Sequence, residues 1–267
     1  MKQSHLRALQ RVYLVLLFSF MYVPIAVMAV FSFNESKSRT IFTGFTFKWY
    51  QSLFHNEMIL SALGLSLVVA LIAAVVATVV GTAAAIGINA MGKRSQAVIN
   101  NISYMPVVNP EIITGVSLML LFVVVKDGIA WANQNLGWTL PENVFGLPTL
   151  LVAHISFCLP YVIFNVSPKL RQLDVRVYEA ALDLGCNPKQ AFFKVVLPEL
   201  APAILSAFLI CLTYSIDDFL ISYFTSGTTQ TLPIVIYSMT RKKVSPEINA
   251  LSTVMFLVIL AIILFYN

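Results

Sequence analysis

Two adjacent carboxylates, Asp217 and Asp218, lie in the otherwise apolar stretch LTYSIDDFLISYF. A charged side chain inside a membrane span costs roughly 2.5 to 3.5 kcal/mol on insertion scales, so it needs water or a partner of opposite charge. On a continuous helix Asp218 would share one face with four polar residues, Tyr214, Ser215, Ser222 and Thr225. A carboxylate beside a tyrosine suits an ammonium group, because charge pairing and a cation–π contact both stabilise it.

We therefore expect Asp218 to face a translocation path with Tyr214 and Ser222, and Asp217 to join that path or to bond a neighbouring helix. The alternative is that both carboxylates cap or pair within the helix bundle. Glu111 follows two prolines in MPVVNPEIITG, and such prolines predict a broken helix of the kind that lines cavities. Glu111 is expected in the path, near the cytoplasmic gate or in a buried hydrogen bond.

The composition predicts where these residues lie. Of 267 residues, 58% are hydrophobic and 11% are charged, and the mean hydropathy is +0.83, which exceeds what one soluble core can bury. Because helices satisfy their own backbone in lipid, we expect an all-α, polytopic membrane protein that forms a single transmembrane domain over residues 1–267. Its six candidate spans lie near residues 12–33, 61–90, 102–125, 148–166, 200–224 and 248–266.

The loop charges predict the orientation. With the N-terminus in the cytoplasm, the inner segments hold ten Lys and Arg residues and the outer segments hold seven, including Arg39 and Lys243. The cluster from Arg241 to Lys243 on the outer side is the main argument against this orientation. The net charge of +5 is what the loops of an inner-membrane protein carry, so it indicates no nucleic-acid partner.

The longest polar segment in this topology is residues 167–198, on the cytoplasmic side. Asp174 is predicted to cap a helix through VRVYEAALDL, with Val175, Tyr178 and Leu182 on its apolar stripe, and Gly185 to end it. A second short helix is predicted to begin at Pro188 and to end at Pro198. The segment is either a linker folded against the bundle or a docking element.

The residues EAALDLG, followed after eleven residues by LP, resemble the EAA signature of bacterial ABC importer permeases. The resemblance implies a coupling helix that inserts into a groove on a cytoplasmic ATPase. The matching positions are Glu179, Ala180, Ala181, Gly185, Leu197 and Pro198.

Further stretches, HISFCLPYVIFNV, LDVRVYEAALDLG, YSIDDFLISYFTSG and GFTFKWYQSLF among them, are similar to the C-subunit permeases of spermidine/putrescine importers (PotC). This resemblance covers almost the whole chain. It implies the type I (MetI-like) permease fold, a polyamine cargo and half of a translocation path. The outer loop 126–147 is longer than the resemblance predicts, and the polar tail it predicts does not follow Asn267, so the chain is expected to be truncated there.

The sequence predicts no nucleotide site, cofactor or catalytic residue in this chain. Gly87, Gly92 and Lys93 approach a P-loop pattern, but Arg94 stands where Ser or Thr would hold magnesium. ATP and magnesium are therefore expected on a separate ATPase. The three cysteines and three histidines show no metal-ligand spacing, and His154 is expected to be a buried, hydrogen-bonded helix residue.

The resulting hypothesis is a heteromeric importer in the bacterial inner membrane. It comprises this chain, a second homologous permease chain, a cytoplasmic ATPase dimer and an extracytoplasmic polyamine-binding protein. One alternative is the same machine with another cargo, such as an iron complex, thiamine or a phosphonate. A secondary transporter is less favoured, because we find no inverted repeat.

Overall fold

The computed structural model describes residues 2–38, 40–242 and 246–266. Within those ranges the chain is helical, and its one extended pairing is an isolated bridge between Asn34 and Phe45. Arg39, Lys243 and Asn267, which are named above, lie outside the described residues. The helices, in chain order, are α1 Lys2–Phe31, α2 Lys48–His55, α3 Glu57–Asn89, α4 Lys93–Val108, α5 Glu111–Leu136, α6 Leu147–Gln172, α7 Val175–Asp183, α8 Pro188–Ala191, α9 Leu197–Asp217, α10 Leu220–Thr225, α11 Leu232–Lys242 and α12 Pro246–Tyr266, with a π-turn at Phe192–Val196 between α8 and α9.

Five helical segments in the described ranges are long and apolar enough to cross a membrane. A shorter apolar stretch, Pro246–Val258, follows them. The predicted all-α, polytopic class is thus confirmed. The five segments are Leu9–Phe31, Glu57–Asn89, Glu111–Leu136, Leu147–Gln172 and Pro188–Asp217.

The chain divides into two compact units. One comprises Met1–Ser61 and Val235–Asn267, and the other comprises Ala62–Ile234. In the first, the side-chain amide of Asn34 bonds the backbone of the loop that follows α1, and Trp49 Nε1 donates to the Asn34 carbonyl at 2.7 Å. The residues that are expected to line the translocation path and to couple to the ATPase all lie in the second unit.

Small side chains let three helices of the second unit pack closely. Ala77, Cys158 and Cys211, from α3, α6 and α9, are fully buried in one cluster. A Cβ added at Gly81 would lie 2.6 Å from Val162 Cβ, so α3 approaches α6 more closely than an alanine permits. Such contacts hold helices together in lipid, where burial of apolar surface gives them no advantage.

The prediction that Pro198 ends a helix is wrong. The backbone is helical from Pro188 through Asp217, and Pro198 occupies the second position of α9. Just before it, Leu197 N–H bonds to the carbonyl of Phe192, five residues back, which is the wider π spacing. A proline ring would clash with the carbonyl four residues earlier in a regular α-helix, and the π-turn lies where that carbonyl must move aside.

Candidate functional site

The helix through the paired carboxylates is broken. α9 ends at Asp217, Asp218 is extended at ψ 120°, and α10 begins at Leu220. We call residues 218–219 the break. The prediction of one continuous helical face around Asp218 is therefore wrong.

The carboxylate of Asp218 explains the break, because it caps α10. Its Oδ1 accepts from Ile221 N at 3.2 Å, and its Oδ2 accepts from Ser222 N at 2.7 Å and from Ser222 Oγ at 2.8 Å. The first N–H groups of a helix have no partner inside the helix, and a side-chain oxygen just before it supplies one. The hydrogen bonds of Asp218 are therefore those of the second expectation, in which this carboxylate caps a helix within the bundle.

The imidazole of His154, on α6, lies behind the cap. Its Nδ1 is 2.6 Å from Ser215 Oγ and its Nε2 is 2.9 Å from Ser222 Oγ, while Asp218 Oδ2 lies 3.6 Å from Nε2. His154, Ser215 and Ser222 are all buried. The expectation of a buried, hydrogen-bonded His154 is confirmed, and its ring bonds one serine on each side of the break.

A second interruption lies at the end of α4. That helix stops at Val108, Asn109 is extended at ψ 140°, and α5 begins at Glu111 directly after Pro110. A residue before proline is disfavoured in the α conformation, which accounts for the stop at Asn109. The predicted broken helix is confirmed at Pro110, whereas Pro106 lies within α4.

The two interruptions border one cavity of about 260 Å³. Asp217 and Glu111 are exposed there, whereas Asp218 is buried. The rings of Tyr161 and Tyr214 meet edge to face, with 4.8 Å between centroids. The cavity is lined by Pro106, Glu111, Thr114, Phe157, Tyr161, Tyr214, Asp217, Asp218 and Ile221.

The lining suits a cation. It offers three carboxylates and three aromatic rings, and it has no basic side chain among these residues. Carboxylates form charge-assisted hydrogen bonds to ammonium groups, and aromatic faces attract the same charge. Of the residues expected in the path, Asp217, Asp218, Tyr214 and Glu111 line this cavity, whereas the fully buried Ser222 does not.

Sequence reasoning did not single out Phe157 and Tyr161 as cavity residues. Both lie on α6, four residues apart, and His154 lies three residues before Phe157. Residues at these spacings share one helical face. A polar and aromatic stripe in a span was therefore the available signal.

Residues 173–196, which we call the elbow, join α6 to α9 through two local caps. Asp174 Oδ1 accepts from Arg176 N at 3.0 Å and starts α7, and Gly185 follows α7 with φ +90°. Asn187 and Gln190 bond each other's backbone N–H reciprocally and start α8. The predicted cap, glycine turn and second start are confirmed.

One face of α7 packs inward and the other is open. Ala181 is buried and Tyr178 and Leu182 are half-buried, as an apolar stripe requires, but Val175 is exposed. Leu184, just beyond α7, is 87% exposed, so a large apolar side chain lies uncovered. The open face of α7 comprises Arg176, Glu179, Ala180 and Asp183.

Comparison with known proteins identifies the family. Residues 77–267 match the family model described as binding-protein-dependent transport system inner membrane component. The chain belongs to this family. It is therefore a permease subunit of a transport system and an inner-membrane protein with several spans, and it is a transport component, not an enzyme.

Two relatives match over most of the permease. It is 38% identical over 246 residues to the putrescine transport system permease protein PotI of Escherichia coli K12, covering 91% of this chain and 83% of that protein. It is 34% identical over 256 residues to the spermidine/putrescine transport system permease protein PotC of Haemophilus influenzae, covering 96% and 93%.

Solved structures show the same fold. A bacterial ABC transporter that imports the acidic polysaccharide alginate matches with a TM-score of 0.74 over 99% of the permease and 94% of that chain, at 18% identity. An amino acid ABC transporter, solved with histidines, matches with a TM-score of 0.51, also at 18% identity. At this identity the likeness shows the fold alone, and the predicted ABC importer permease fold is confirmed.

Proposed function

We propose that the permease forms half of the translocation path of an ATP-driven importer for polyamines such as putrescine and spermidine. The observation that carries this proposal is the cavity at the two helix interruptions, with three carboxylates, three aromatic rings and no basic lining residue. The names of the relatives PotI and PotC support the same class of cargo.

The three carboxylates of the cavity have different roles in binding a cation. Both oxygens of Asp218 already accept hydrogen bonds from α10, so this group contributes its negative charge more than a free acceptor. Asp217 and Glu111 are exposed and can accept N–H bonds from an ammonium group. Tyr214 and Tyr161 offer aromatic surface to the ammonium group. Ser222 does not line the cavity, but its hydroxyl donates a hydrogen bond to Asp218.

The elbow is the element that couples this path to ATP hydrolysis. Glu179 and Ala180 lie on its open face, and the buried Ala181 and the turn at Gly185 fix that face relative to α8. Leu197 and Pro198 join the elbow to α9, which ends at Asp217 in the cavity. Movement of the elbow by a partner can therefore reach the break through one continuous helix.

The proposal includes the partners that such a subunit needs. A cytoplasmic ATPase dimer, which binds ATP and magnesium, contacts the elbow. A second permease chain completes the path, and an extracytoplasmic binding protein delivers the polyamine. In this arrangement the N-terminus and the elbow lie in the cytoplasm, consistent with ten basic residues in the inner segments against seven in the outer ones.

Uptake of radiolabelled putrescine and spermidine into vesicles that contain the assembled importer tests the function. We expect ATP-dependent uptake, and a rise in KM of roughly tenfold or more for Asp217→Asn and for Glu111→Gln, since each removes a charge-assisted bond. Glu142→Gln, which removes an exposed carboxylate outside the cavity, is the matched control. Uptake that needs no ATP would exclude an ATP-driven importer, and ATP-driven uptake of an anionic solute alone would exclude the polyamine cargo.

A further inference from the structure

We propose that His154 is a positioning residue that fixes the break, and with it the cavity wall, as a neutral imidazole with its proton on Nε2. The ring is held between α9 and α10. Ser215 lies three residues before Asp218 and Ser222 four residues after it, and each ring nitrogen bonds one of them. The imidazole thus ties the two sides of the break together.

The hydrogen-bond inventory decides the tautomer. Ser222 Oγ has one proton, and it is donated to Asp218 Oδ2 at 2.8 Å. Ser222 Oγ must therefore accept from His154, which places a proton on Nε2.

The hydrogen bonding of Ser215 determines whether His154 Nδ1 carries a proton. Among the described residues its hydroxyl has no hydrogen-bond partner other than His154 Nδ1, at 2.6 Å. If Nδ1 also carried a proton, the Ser215 hydroxyl would accept and its own proton would lack a partner in a buried site, which is costly. The hydroxyl of Ser215 therefore donates to a bare Nδ1, and the imidazole is neutral.

All the bonds then run in one direction, from Ser215 through His154 and Ser222 to Asp218. This series of hydrogen bonds orients the carboxylate that caps α10. Ile221 of α10 lines the cavity together with Asp217. His154 does not line the cavity, so it acts on the cargo only through the position of these groups.

Nitrogen NMR of the reconstituted complex with ¹⁵N-labelled histidine tests the tautomer directly. His5, His55 and His154 are the histidines of this chain, and subtraction of the His154→Gln spectrum isolates the signal of interest. We expect a neutral ring protonated at Nε2 at neutral pH. A doubly protonated ring, or a proton on Nδ1 alone, would overturn the assignment. This measurement does not depend on the cargo, so it stands even if the proposed function fails.

Polyamine uptake tests the positioning role, which rests on the proposed function. His154→Leu should raise KM roughly tenfold, the ratio expected for loss of one well-formed hydrogen bond, with little change in kcat. His154→Gln, which keeps a donor toward Ser222, should restore most of the affinity. Ser156→Ala, on the same helix with its hydroxyl bonded to the Val152 carbonyl, is the control expected to match the wild type.

A double-mutant cycle separates positioning from general damage to the fold. In a Ser222→Ala background the hydrogen-bonded link from His154 through Ser222 to Asp218 is already cut, so His154→Leu should add less than roughly twofold to KM. A full tenfold addition in that background would show that His154 does not act through Ser222, and the proposal would be wrong. Absence of any wild-type polyamine uptake, with the Nε2 tautomer observed, would reject the cargo but not the tautomer assignment.

Discussion

The elbow and the break are both interruptions of a helical path with local caps, and they differ in what supports those caps. In the elbow, the caps come from within three residues of the helix start: Asp174 for α7, and Asn187 with Gln190 for α8. At the break the cap by Asp218 is equally local, but it is backed by His154, which lies 68 residues before Ser222.

Their surroundings differ in the same way. The caps of the elbow are exposed and its outer face is uncovered, whereas Asp218, Ser222 and His154 are buried. An exposed turn can shift without leaving polar groups unsatisfied, because water replaces any lost partner, but a buried turn cannot. The elbow is thus suited to being moved by a partner, whereas the break is suited to holding one geometry.

The largest predicted difference in stability follows from removing the capping carboxylate in each region. Asp218→Ala leaves two backbone N–H groups and a hydroxyl without their acceptor in a buried site, so we expect a loss of at least about 3 kcal/mol. Asp174→Ala removes one exposed cap and should cost about 1 kcal/mol. Denaturation of the purified permease in nanodiscs measures both.

An isosteric substitution at Asp218 refines the comparison of these two alanine variants. Asp218→Asn keeps one acceptor oxygen and the shape of the side chain, so its loss should fall between those of the two alanine variants. Equal losses for Asp218→Ala and Asp174→Ala would show that the break is no more dependent on its buried network than the elbow is on its exposed caps.

Strain at the glycine of the elbow is the next largest effect. Gly185 has φ +90° and open space where a Cβ would lie, so Gly185→Val meets no neighbour but costs about 1 to 2 kcal/mol of backbone strain. We expect this strain to reorient α7 against α8. We expect ATP hydrolysis to continue while polyamine uptake falls, measured as the ratio of the two rates in proteoliposomes.

Gly92 supplies the matched control for that substitution. It also has open space where a Cβ would lie, but its backbone is extended, at φ −65° and ψ 150°, which a valine adopts without strain. Gly92→Val should therefore retain the normal ratio of uptake to hydrolysis. If both variants uncouple equally, backbone strain at the elbow is not the cause.

The two regions also differ in how far the sequence predicts them. Asp174, Gly185 and Pro188 were all predicted in their roles, because each acts on backbone within a few residues. The end of the second helix was mispredicted at Pro198, since the π-turn that accommodates this proline leaves no comparable mark in the sequence.

At the break, the sequence indicated the residues but not the geometry. Asp217, Asp218, Tyr214 and Glu111 stand out as polar groups in apolar spans, and all four line the cavity. Helical periodicity nevertheless placed Ser222 beside them, because it assumes that the helix continues. His154 of another helix bonds a serine on each side of the interruption, and a contact between residues so distant in sequence is not visible in the local pattern.

The smallest predicted effect on stability belongs to the open face of the elbow. Ala180 is exposed, so Ala180→Leu has room in the permease alone and should change its unfolding free energy by no more than about 0.5 kcal/mol. The larger side chain would nevertheless prevent close approach of the ATPase, and ATP-driven uptake should be lost. Ala97→Leu, at an exposed alanine of α4, is the control expected to keep both properties. Normal uptake by Ala180→Leu would remove the elbow from the coupling path, whereas lost uptake at unchanged stability would show that this region, unlike the break, is shaped for a partner and not for the fold.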